Sequence, residues 1–258
     1  MLSVVKIGGG IIEDQEQLAA FLHSFSEIKG PKILVHGGGR LATSMAAKMD
    51  IETKMVEGRR VTDDAMLEIV TMVYGGLANK KIVAQLQSFG INAMGLSGAD
   101  GNLIRSHKRI NSNVDFGWVG DVDQVNVSLL DQLISSDITP VIAPLTHDGK
   151  GKMLNTNADT IASEVAIALA QSGIETQLIF GFELEGVLQD FSNKESVISK
   201  IDSSYYQELK QKNIIADGMI PKMDNAFSAI DKGVHSVKIC HALKVGEAVN
   251  GAAGTLIV

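Results

Sequence analysis

Short apolar runs rich in valine and isoleucine alternate with amphipathic helical patterns along most of this chain, and no other feature limits the fold as strongly. The runs are continuously apolar, as expected of strands that are buried on both faces. They lie at residues 4–7, 33–35, 140–143, 178–180 and 237–239. Strand–helix alternation of this kind predicts an α/β protein in which helices cover both faces of a mainly parallel sheet.

Three segments have the apolar spacing of helices, and one segment departs from the strand–helix alternation. Apolar residues recur at helical spacing over residues 17–25, 67–86 and 161–170. Between residues 98 and 124, glycine, asparagine and charged residues interrupt the alternation and predict a β-hairpin excursion. Right-handed crossovers place the carboxyl ends of parallel strands along one sheet edge, where ligands of open α/β sheets bind.

The composition excludes several classes of function. Lys plus Arg is 23 against 30 for Asp plus Glu, and the net charge of −7 disfavours nucleic acid and anionic membranes as partners. No apolar run has the length of about 18 to 20 residues that a membrane span needs. The single cysteine, Cys240, cannot form an internal disulfide and predicts a cytoplasmic protein. The histidines lack metal-ligand spacing, so no metal site is predicted.

Two strands run directly into glycine triplets, KIGGG at Lys6–Gly10 and VHGGG at Val35–Gly39. Glycine lets the backbone approach a ligand and turn its N–H groups toward an anion. Two such loops at one sheet edge predict a cradle for phosphate or carboxylate, and the alternative is a pair of tight strand–helix turns. Neither loop has the spacing of the P-loop or of the dinucleotide fingerprint, which argues against familiar NTPases and dehydrogenases.

Two lysines are candidates for binding that anion. Lys6 lies at the end of a buried strand, where lysine needs a negative partner unless it reaches solvent. Lys222 follows Pro221 in the first turn of a predicted helix. A cation there faces the positive end of the helix dipole, which favours a negative partner, although a tolerated surface lysine is the alternative.

The segment NTNADT, Asn155–Thr160, precedes a strongly helical stretch. Asn157 is predicted to cap that helix, and Thr156 with Asp159 to form a variant of the capping box. Asp159 is also a carboxylate that can hold lysine ammonium groups in position, and Asn155 is a neutral donor for a ligand. Both interpretations can hold together.

The segment GRRVTDD places Arg59 and Arg60 in a loop before a helix predicted to be capped by Thr62. Arginine suits a bidentate grip on a carboxylate, and a solvated loop arginine is the alternative. Glycine loops, two lysines, an aspartate and an arginine suit phosphoryl transfer, where positioning and charge neutralisation dominate. A carboxylate acceptor is already ionised at neutral pH and needs no general base.

This set of motifs resembles the amino acid kinase family nearly end to end. The markers are KIGGG, VHGGG, GRRVT, GLSGADG at Gly95–Gly101, FGWVGDV, LNTNADT, IIADGMIPK and the closing GTLIV. The resemblance implies a three-layer αβα sandwich around a mainly parallel open sheet of roughly eight strands. It also implies a homodimer, an amino-terminal lobe (residues 1–173) that binds an acylglutamate and a carboxyl-terminal lobe (174–258) that binds ATP. The boundary is set at Gly173, a predicted helix-ending glycine.

By the same resemblance, the chain phosphorylates the side-chain carboxylate of an N-acylated glutamate, N-acetylglutamate by default, in arginine biosynthesis, with magnesium carried by ATP. Lys6 and Lys222 would stabilise the transferring phosphoryl group and Asp159 would orient both lysines. The implied substrate-binding residues are Gly38, Gly39, Arg60 and Asn155. The implied nucleotide-binding residues are Gly8, Gly9, Glu183, Gly186, Leu188, Ile214 and Ala216.

The chain departs from the family pattern after its fourth apolar run. The family usually has Ser or Thr followed by Asp there, whereas this chain has Phe182 and Glu183. Three alternatives therefore stay open at this stage. The acyl group could be succinyl, the chain could be a catalytically silent ligand sensor on the same fold, or, more remotely, it could be a dinucleotide-binding oxidoreductase.

Overall fold

The computed structural model describes residues 1–56, 58–110, 113–190, 192–215 and 219–258. The strands are β1 (Leu2–Ile7), β2 (Lys32–His36), β3 (Met55–Val56), β4 (Arg59–Arg60), β5 (Ala93–Leu96), β6 (Ile104–Lys108), β7 (Gly120–Val125), β8 (Thr139–Ile142), β9 (Leu145–His147), β10 (Met153–Asn155), β11 (Thr176–Phe182), β12 (Lys200–Ile201), β13 (Ser236–His241) and β14 (Thr255–Ile257).

The helices are α1 (Gly9–Glu13), α2 (Gln15–Ser26), α3 (Gly39–Lys48), α4 (Asp64–Val70), α5 (Asn79–Ser88), α6 (Val127–Ser135), α7 (Ala158–Gln171), α8 (Ser203–Gln211), α9 (Ile220–Asp231) and α10 (Val245–Val249). A π-helical segment, Thr71–Ala78, joins α4 to α5. The helical pattern over residues 67–86 is therefore confirmed, but its middle is wound more widely than the sequence period indicates.

The main sheet has eight strands in the order β12-β14-β13-β11-β1-β2-β8-β5. All neighbouring strands are parallel except β13 and β14. The five apolar runs of the sequence lie in β1, β2, β8, β11 and β13, and the predicted mainly parallel, eight-stranded sheet is confirmed. Because β1 lies centrally, its carboxyl end and those of β2 and β11 share one edge.

Helices cover both faces of this sheet. Successive residues of each strand point to opposite faces, so alternate residues contribute to two separate hydrophobic cores. On one face Val4, Phe180 and Ile239 pack against α7, α8 and α9, and on the other Val5, Ile179 and Cys240 pack against α2, α5 and α10. The three-layer αβα sandwich is thereby confirmed. Within the described ranges, no helix is both long and apolar enough to cross a membrane.

The hairpin predicted between residues 98 and 124 is confirmed as the antiparallel pair β6–β7. It belongs to a second, four-stranded sheet in the order β10-β9-β6-β7. That sheet lies beside the amino end of α7 and carries Asn155 on its β10 strand. The excursion therefore forms one wall of the edge at which the parallel strands end.

Two predicted helix caps are wrong. One lies at the neighbouring residue, and the hydroxyl of the other binds a different partner. Helix α4 is capped by Asp63, whose carboxylate accepts a hydrogen bond from the Met66 N–H, whereas Thr62 is buried. The Thr156 hydroxyl lies against Thr146 in the interior instead of completing a capping box. In both cases tertiary contacts engage a hydroxyl that local sequence would assign to the helix end.

Lys32, at the start of β2, binds carbonyl groups at the carboxyl end of α2. Its side chain is buried, and its ammonium donates to the carbonyl oxygens of Phe25, Ser26 and Ile28 at 3.1, 2.9 and 2.7 Å. The three donors of one ammonium thus bind three carbonyl groups at and just beyond the end of α2, of which that of Phe25 also accepts from the Ile28 N–H.

We expect Lys32→Met to lower the free energy of unfolding by about 1 to 3 kcal/mol, because buried carbonyls lose their donors. Urea unfolding monitored by circular dichroism measures the change. The control is Lys29→Met, a substitution of an exposed lysine in the same turn region, which should change stability little. Equal stabilities of the two variants would contradict the role of Lys32.

Candidate active site

The two glycine loops pack directly on each other at the carboxyl ends of β1 and β2. A Cβ added to Gly9 would lie 3.5 Å from the backbone nitrogens of both Gly38 and Gly39. The Gly37 N–H donates to the Ile7 carbonyl at 3.1 Å. Gly38 has φ +154°, a value that side-chain-bearing residues rarely adopt. The loops are therefore held backbone to backbone, with their N–H groups at one edge.

Lys6 has the negative partner that its position demands. Its Nζ lies 2.6 Å from Oδ1 of Asp159, and the Lys6 side chain is only 9% exposed. Asp159 occupies the first turn of α7. The side chain of Asn157 caps that helix and accepts a hydrogen bond from the backbone N–H of Asp159 at 2.8 Å. The ion pair thus joins the end of the central strand to the start of a helix more than 150 residues away in sequence.

Lys222 reaches the same place from the first turn of α9. Its ammonium lies 3.7 Å from the centre of the Phe182 ring, and that of Lys6 lies 5.3 Å from the same centre. Burial lowers the pKa of Lys222, as does the neighbouring Lys6, while Asp159 opposes the shift. A further anion at this point would favour the charged form of the lysine.

Two cavities meet at Lys222. The first, about 450 Å³, is lined by Gly8–Gly10, Phe182, Glu183 and Lys222 among others. The second, about 620 Å³, is lined by Gly37–Gly39, Arg60, Tyr74, Arg109, Asn155, Asp159 and Lys222 among others. Gly9, Gly39 and Lys222 line both cavities, so a group passing from one cavity to the other would pass Lys222.

Arg60 lies in the β3–β4 hairpin and not in the loop predicted for it. Its Nη2 donates to the Gly39 carbonyl and to the Thr43 hydroxyl, both at 2.8 Å. Its Nη1 makes longer contacts, 3.3 Å to Thr53 and 3.6 Å to the sulfur of Met66. All four acceptors are neutral, so these contacts leave the positive charge of Arg60 uncompensated beside the second cavity.

Asn155 ends β10 at the wall of the second cavity. Its Nδ2 donates to the hydroxyl of the buried Thr62 at 2.9 Å, and its backbone N–H donates to the Trp118 carbonyl. These contacts fix the carboxamide in place. Asn155 therefore presents a neutral polar group to the same space that Arg60 faces.

The residues predicted to bind nucleotide divide into two groups. Gly8, Gly9 and Glu183 line the first cavity, where Glu183 lies 3.9 Å from Arg40. Gly186, Leu188 and Ile214 do not lie on the described lining of that cavity. Gly186 and Leu188 are buried against neighbouring segments, and Ile214 packs at the margin of a core. Ala216 lies outside the described residues.

Comparison with known proteins assigns the family. The model of the amino acid kinase family matches residues 1–241. The chain belongs to the amino acid kinase family. An acetylglutamate kinase of Cytophaga hutchinsonii is 54% identical over 96% of this chain and 94% of the relative, and one of Phocaeicola vulgatus is 54% identical over 99% and 98%. A solved structure, smu.665 from Streptococcus mutans, aligns with a TM-score of 0.77 at 27% identity, covering all of this chain and 98% of that one.

In this amino acid kinase, the second glycine loop rests on a buried imidazole that sequence reasoning did not select. His36 ends β2 and is fully buried, and its Nδ1 lies 2.7 Å from the Gly37 carbonyl oxygen. A carbonyl only accepts, so Nδ1 carries the proton. Nε2 then accepts from the Asn79 carboxamide at 3.1 Å.

The orientation of Asn79 supports this assignment. Its Nδ2 also donates to the Val141 carbonyl at 2.9 Å, and its Oδ1 accepts from the Lys80 ammonium at 3.2 Å. Reversing the carboxamide would set oxygen against oxygen and amide against ammonium. His36 is therefore neutral, in agreement with a pKa that burial lowers to about 4.

We expect this histidine to make the amino acid kinase less stable in mild acid. The unfolded chain takes up a proton near the ordinary pKa of about 6.5, whereas the folded chain resists until about pH 4, so stability falls as pH falls through that window. Between pH 7 and pH 5 the loss from His36 alone should be about 2 kcal/mol.

Urea unfolding at the two pH values measures this loss. His36→Gln should show a smaller loss on acidification than the wild type, and His23→Gln, at an exposed site on α2, should keep the wild-type loss. An unchanged pH dependence in His36→Gln would show that the imidazole does not stay neutral in the folded protein.

Proposed function

We propose that this protein uses ATP to phosphorylate the side-chain carboxylate of N-acetyl-L-glutamate, giving an acyl phosphate in arginine biosynthesis. Curated relatives that carry the name acetylglutamate kinase are 53 to 55% identical over more than nine-tenths of the chain. The observation that carries the proposal is the position of Lys222 on the lining of both cavities, beside Asp159 and the Lys6 ammonium that Asp159 binds.

The two cavities adjoin each other, which supports direct transfer of the phosphoryl group from one ligand to the other. ATP would occupy the first cavity, with its phosphates against the N–H groups of the first glycine loop, and the acylglutamate would occupy the second. An oxygen of the ionised side-chain carboxylate forms a bond to the γ-phosphorus, and the bond from that phosphorus to the bridging oxygen of ADP breaks. No proton is removed, so no general base is required.

The lysines supply the electrostatic part of catalysis. Lys222 lines both cavities and Lys6 lies over the same Phe182 ring, so both ammonium groups would bind the oxygens of the phosphoryl group as charge shifts toward ADP. Asp159 fixes the Lys6 ammonium and offsets part of the repulsion between the two cations. Because the pKa of Lys222 is lowered in the free protein, a bound triphosphate would stabilise its charged form.

The donor set fits magnesium carried by the nucleotide. Backbone N–H groups and ammonium groups bind phosphate oxygens, and Asp159, a carboxylate beside Lys222, is already paired with Lys6. Magnesium would neutralise the phosphates of bound ATP. In this proposal residues 174–258 supply the farther side of the nucleotide cavity, through Phe182, Glu183 and Met219, and residues 1–173 supply most of the acylglutamate cavity.

The proposal includes a homodimer in the cytoplasm. Most of the large apolar side chains that are exposed among the described residues lie in residues 1–173, including Met49, Met72, Met94 and Ile110. An interface on the amino-terminal lobe would cover side chains of this kind. Light scattering after size-exclusion chromatography measures the assembly, and a mass of one chain, 27.5 kDa, at micromolar concentration would refute it.

N-succinylglutamate is the second candidate substrate. The observation that favours it is the presence of Arg59 and Arg109 beside Arg60 in the acylglutamate cavity. Arg109 is already paired with Asp121, at 3.0 Å from Nε, whereas Arg59 is exposed. An acyl group with its own carboxylate would find positive charge there.

A substrate panel tests the proposed function. ADP release is measured with N-acetylglutamate, N-succinylglutamate, glutamate, aspartate, UMP and carbamate as acceptors. The proposal expects turnover with N-acetylglutamate above all others, and higher kcat/KM for the succinyl compound would select the second candidate. Turnover with only UMP or free glutamate would place the chain in another branch, and calorimetric binding of acylglutamate without any ATP binding would make it a sensor.

We expect Lys6→Met and Lys222→Met each to lower the rate of the chemical step by about 10²- to 10³-fold, the effect of losing one electrostatic contact to the transition state. Single-turnover phosphorylation measures that step without product release. Lys150→Met, in the exposed β9–β10 turn, is the control for removing a surface cation. Rates equal to wild type in both site variants would contradict the assigned roles.

We expect Arg60→Lys to raise the KM for N-acetylglutamate by roughly tenfold, with little change in the KM for ATP, because an ammonium cannot reproduce the guanidinium fork. Steady-state kinetics with each substrate varied in turn measures both constants. Arg105→Lys, at an exposed position on β6, is the matched control. An unchanged KM for the acylglutamate would remove Arg60 from the substrate site.

A further inference from the structure

Tyr74 is a buried tyrosine at the wall of the acylglutamate cavity to which no role has yet been given. It lies in the π-helical segment Thr71–Ala78, and only 4% of its surface is exposed. π-helical turns within α-helices are uncommon and occur frequently at functional sites. The segment turns Tyr74 toward the second glycine loop.

The ring of Tyr74 fits against the most constrained glycine of that loop. A Cβ on Gly38 would lie 2.9 Å from Cδ1 and 3.1 Å from Cε1 of the ring. Gly38 therefore needs to be glycine both for its backbone angle and for the space that the ring occupies. The ring and the loop are packed as one unit beside the cavity.

The hydroxyl of Tyr74 lies close enough to the guanidinium of Arg60 to be affected by its positive charge. Arginine only donates, so the hydrogen of the phenol is not directed to Arg60. Burial raises the pKa of Tyr74 despite the nearby cation, so the hydroxyl keeps its hydrogen at neutral pH. Among the residues that the structure describes, this hydrogen has no protein acceptor.

Tyr74 lines the cavity, so a ligand oxygen at this wall would be able to accept the hydrogen of its hydroxyl. Arg60 faces the same space with a charge that no carboxylate of the chain offsets in its four hydrogen bonds. A carboxylate attracted by that charge would approach Tyr74, which lines the same cavity.

We propose that the Tyr74 hydroxyl donates a hydrogen bond to the α-carboxylate of the acylglutamate and that Tyr74 selects for substrates bearing that group. The inference rests on the proposed function, because it takes the second cavity as the acylglutamate site. Tyr74 and Arg60 then bind one carboxylate together, the phenol by its hydrogen and the guanidinium by its charge.

Tyr74→Phe tests the proposal, because it removes the hydroxyl and keeps the ring that packs on Gly38. The KM for N-acetylglutamate should rise about tenfold, the scale of a hydrogen bond to a charged group, with kcat and the KM for ATP within about twofold of wild type. Tyr205→Phe, on α8 and outside both cavities, is the matched control and should leave all three constants unchanged.

A substrate without the α-carboxylate separates recognition from a merely structural role. Inhibition by 4-acetamidobutanoate, which keeps the acetamido group and the reacting carboxylate, should have the same Ki in wild type and in Tyr74→Phe. A tenfold weaker Ki in the variant would overturn the proposal, because the hydroxyl would then act on another part of the substrate or on the pocket itself.

The same measurements distinguish failure of this inference from failure of the proposed function. If wild type does not turn over any acylglutamate, the proposed function fails. If wild type turns over N-acetylglutamate and Tyr74→Phe has an unchanged KM, the proposed function stands and the role of Tyr74 is refuted. Thermal unfolding of both variants at the wild-type temperature, within about 2 °C, shows that the fold is intact.

Discussion

The ion pair between Lys6 and Asp159 is the interaction on which the site depends. A lysine at the buried end of a central strand needs a counterion, and the chain provides it from the first turn of α7. This one contact fixes the helix start relative to the glycine loops. It also sets the place where Lys222 arrives from the other part of the chain, because all three groups lie at the ring of Phe182 or beside it.

Much of the fold could be predicted from the sequence, because buried parallel strands and amphipathic helices each carry their own periodicity. The eight-stranded sheet, the β6–β7 hairpin and the Asn157 cap follow from such local patterns. The π-helical winding does not, since the apolar spacing over residues 67–86 is compatible with ordinary helix. The cap at Asp63 was missed because Thr62 and Asp63 are both good capping residues, and only burial of Thr62 decides between them.

Some residues of the candidate site could also be predicted from the sequence and others could not. Lys6, Asp159 and Lys222 were predictable because each is a charged residue at a helix or strand end where charge needs a partner. His36 and Tyr74 were not selected, and Phe182 was noted only as a departure from the family pattern, because an aromatic or buried residue gives no sign in sequence of what its ring faces. A histidine directly before a glycine triplet was the available signal for His36. Gly186, Leu188 and Ile214 came only from family resemblance, and their distance from the described lining of the nucleotide cavity leaves their role a prediction.

The winding between α4 and α5 also restricts how this family member can change its length. Each residue of a helix adds a fixed rotation about its axis, so deleting one amino acid from the π-helical segment Thr71–Ala78 would rotate everything after it relative to everything before. Asn79 would leave the imidazole of His36, and the phenol would leave the glycine loop. Relatives should therefore differ in this segment by substitutions and not by insertions or deletions, so that its length stays constant.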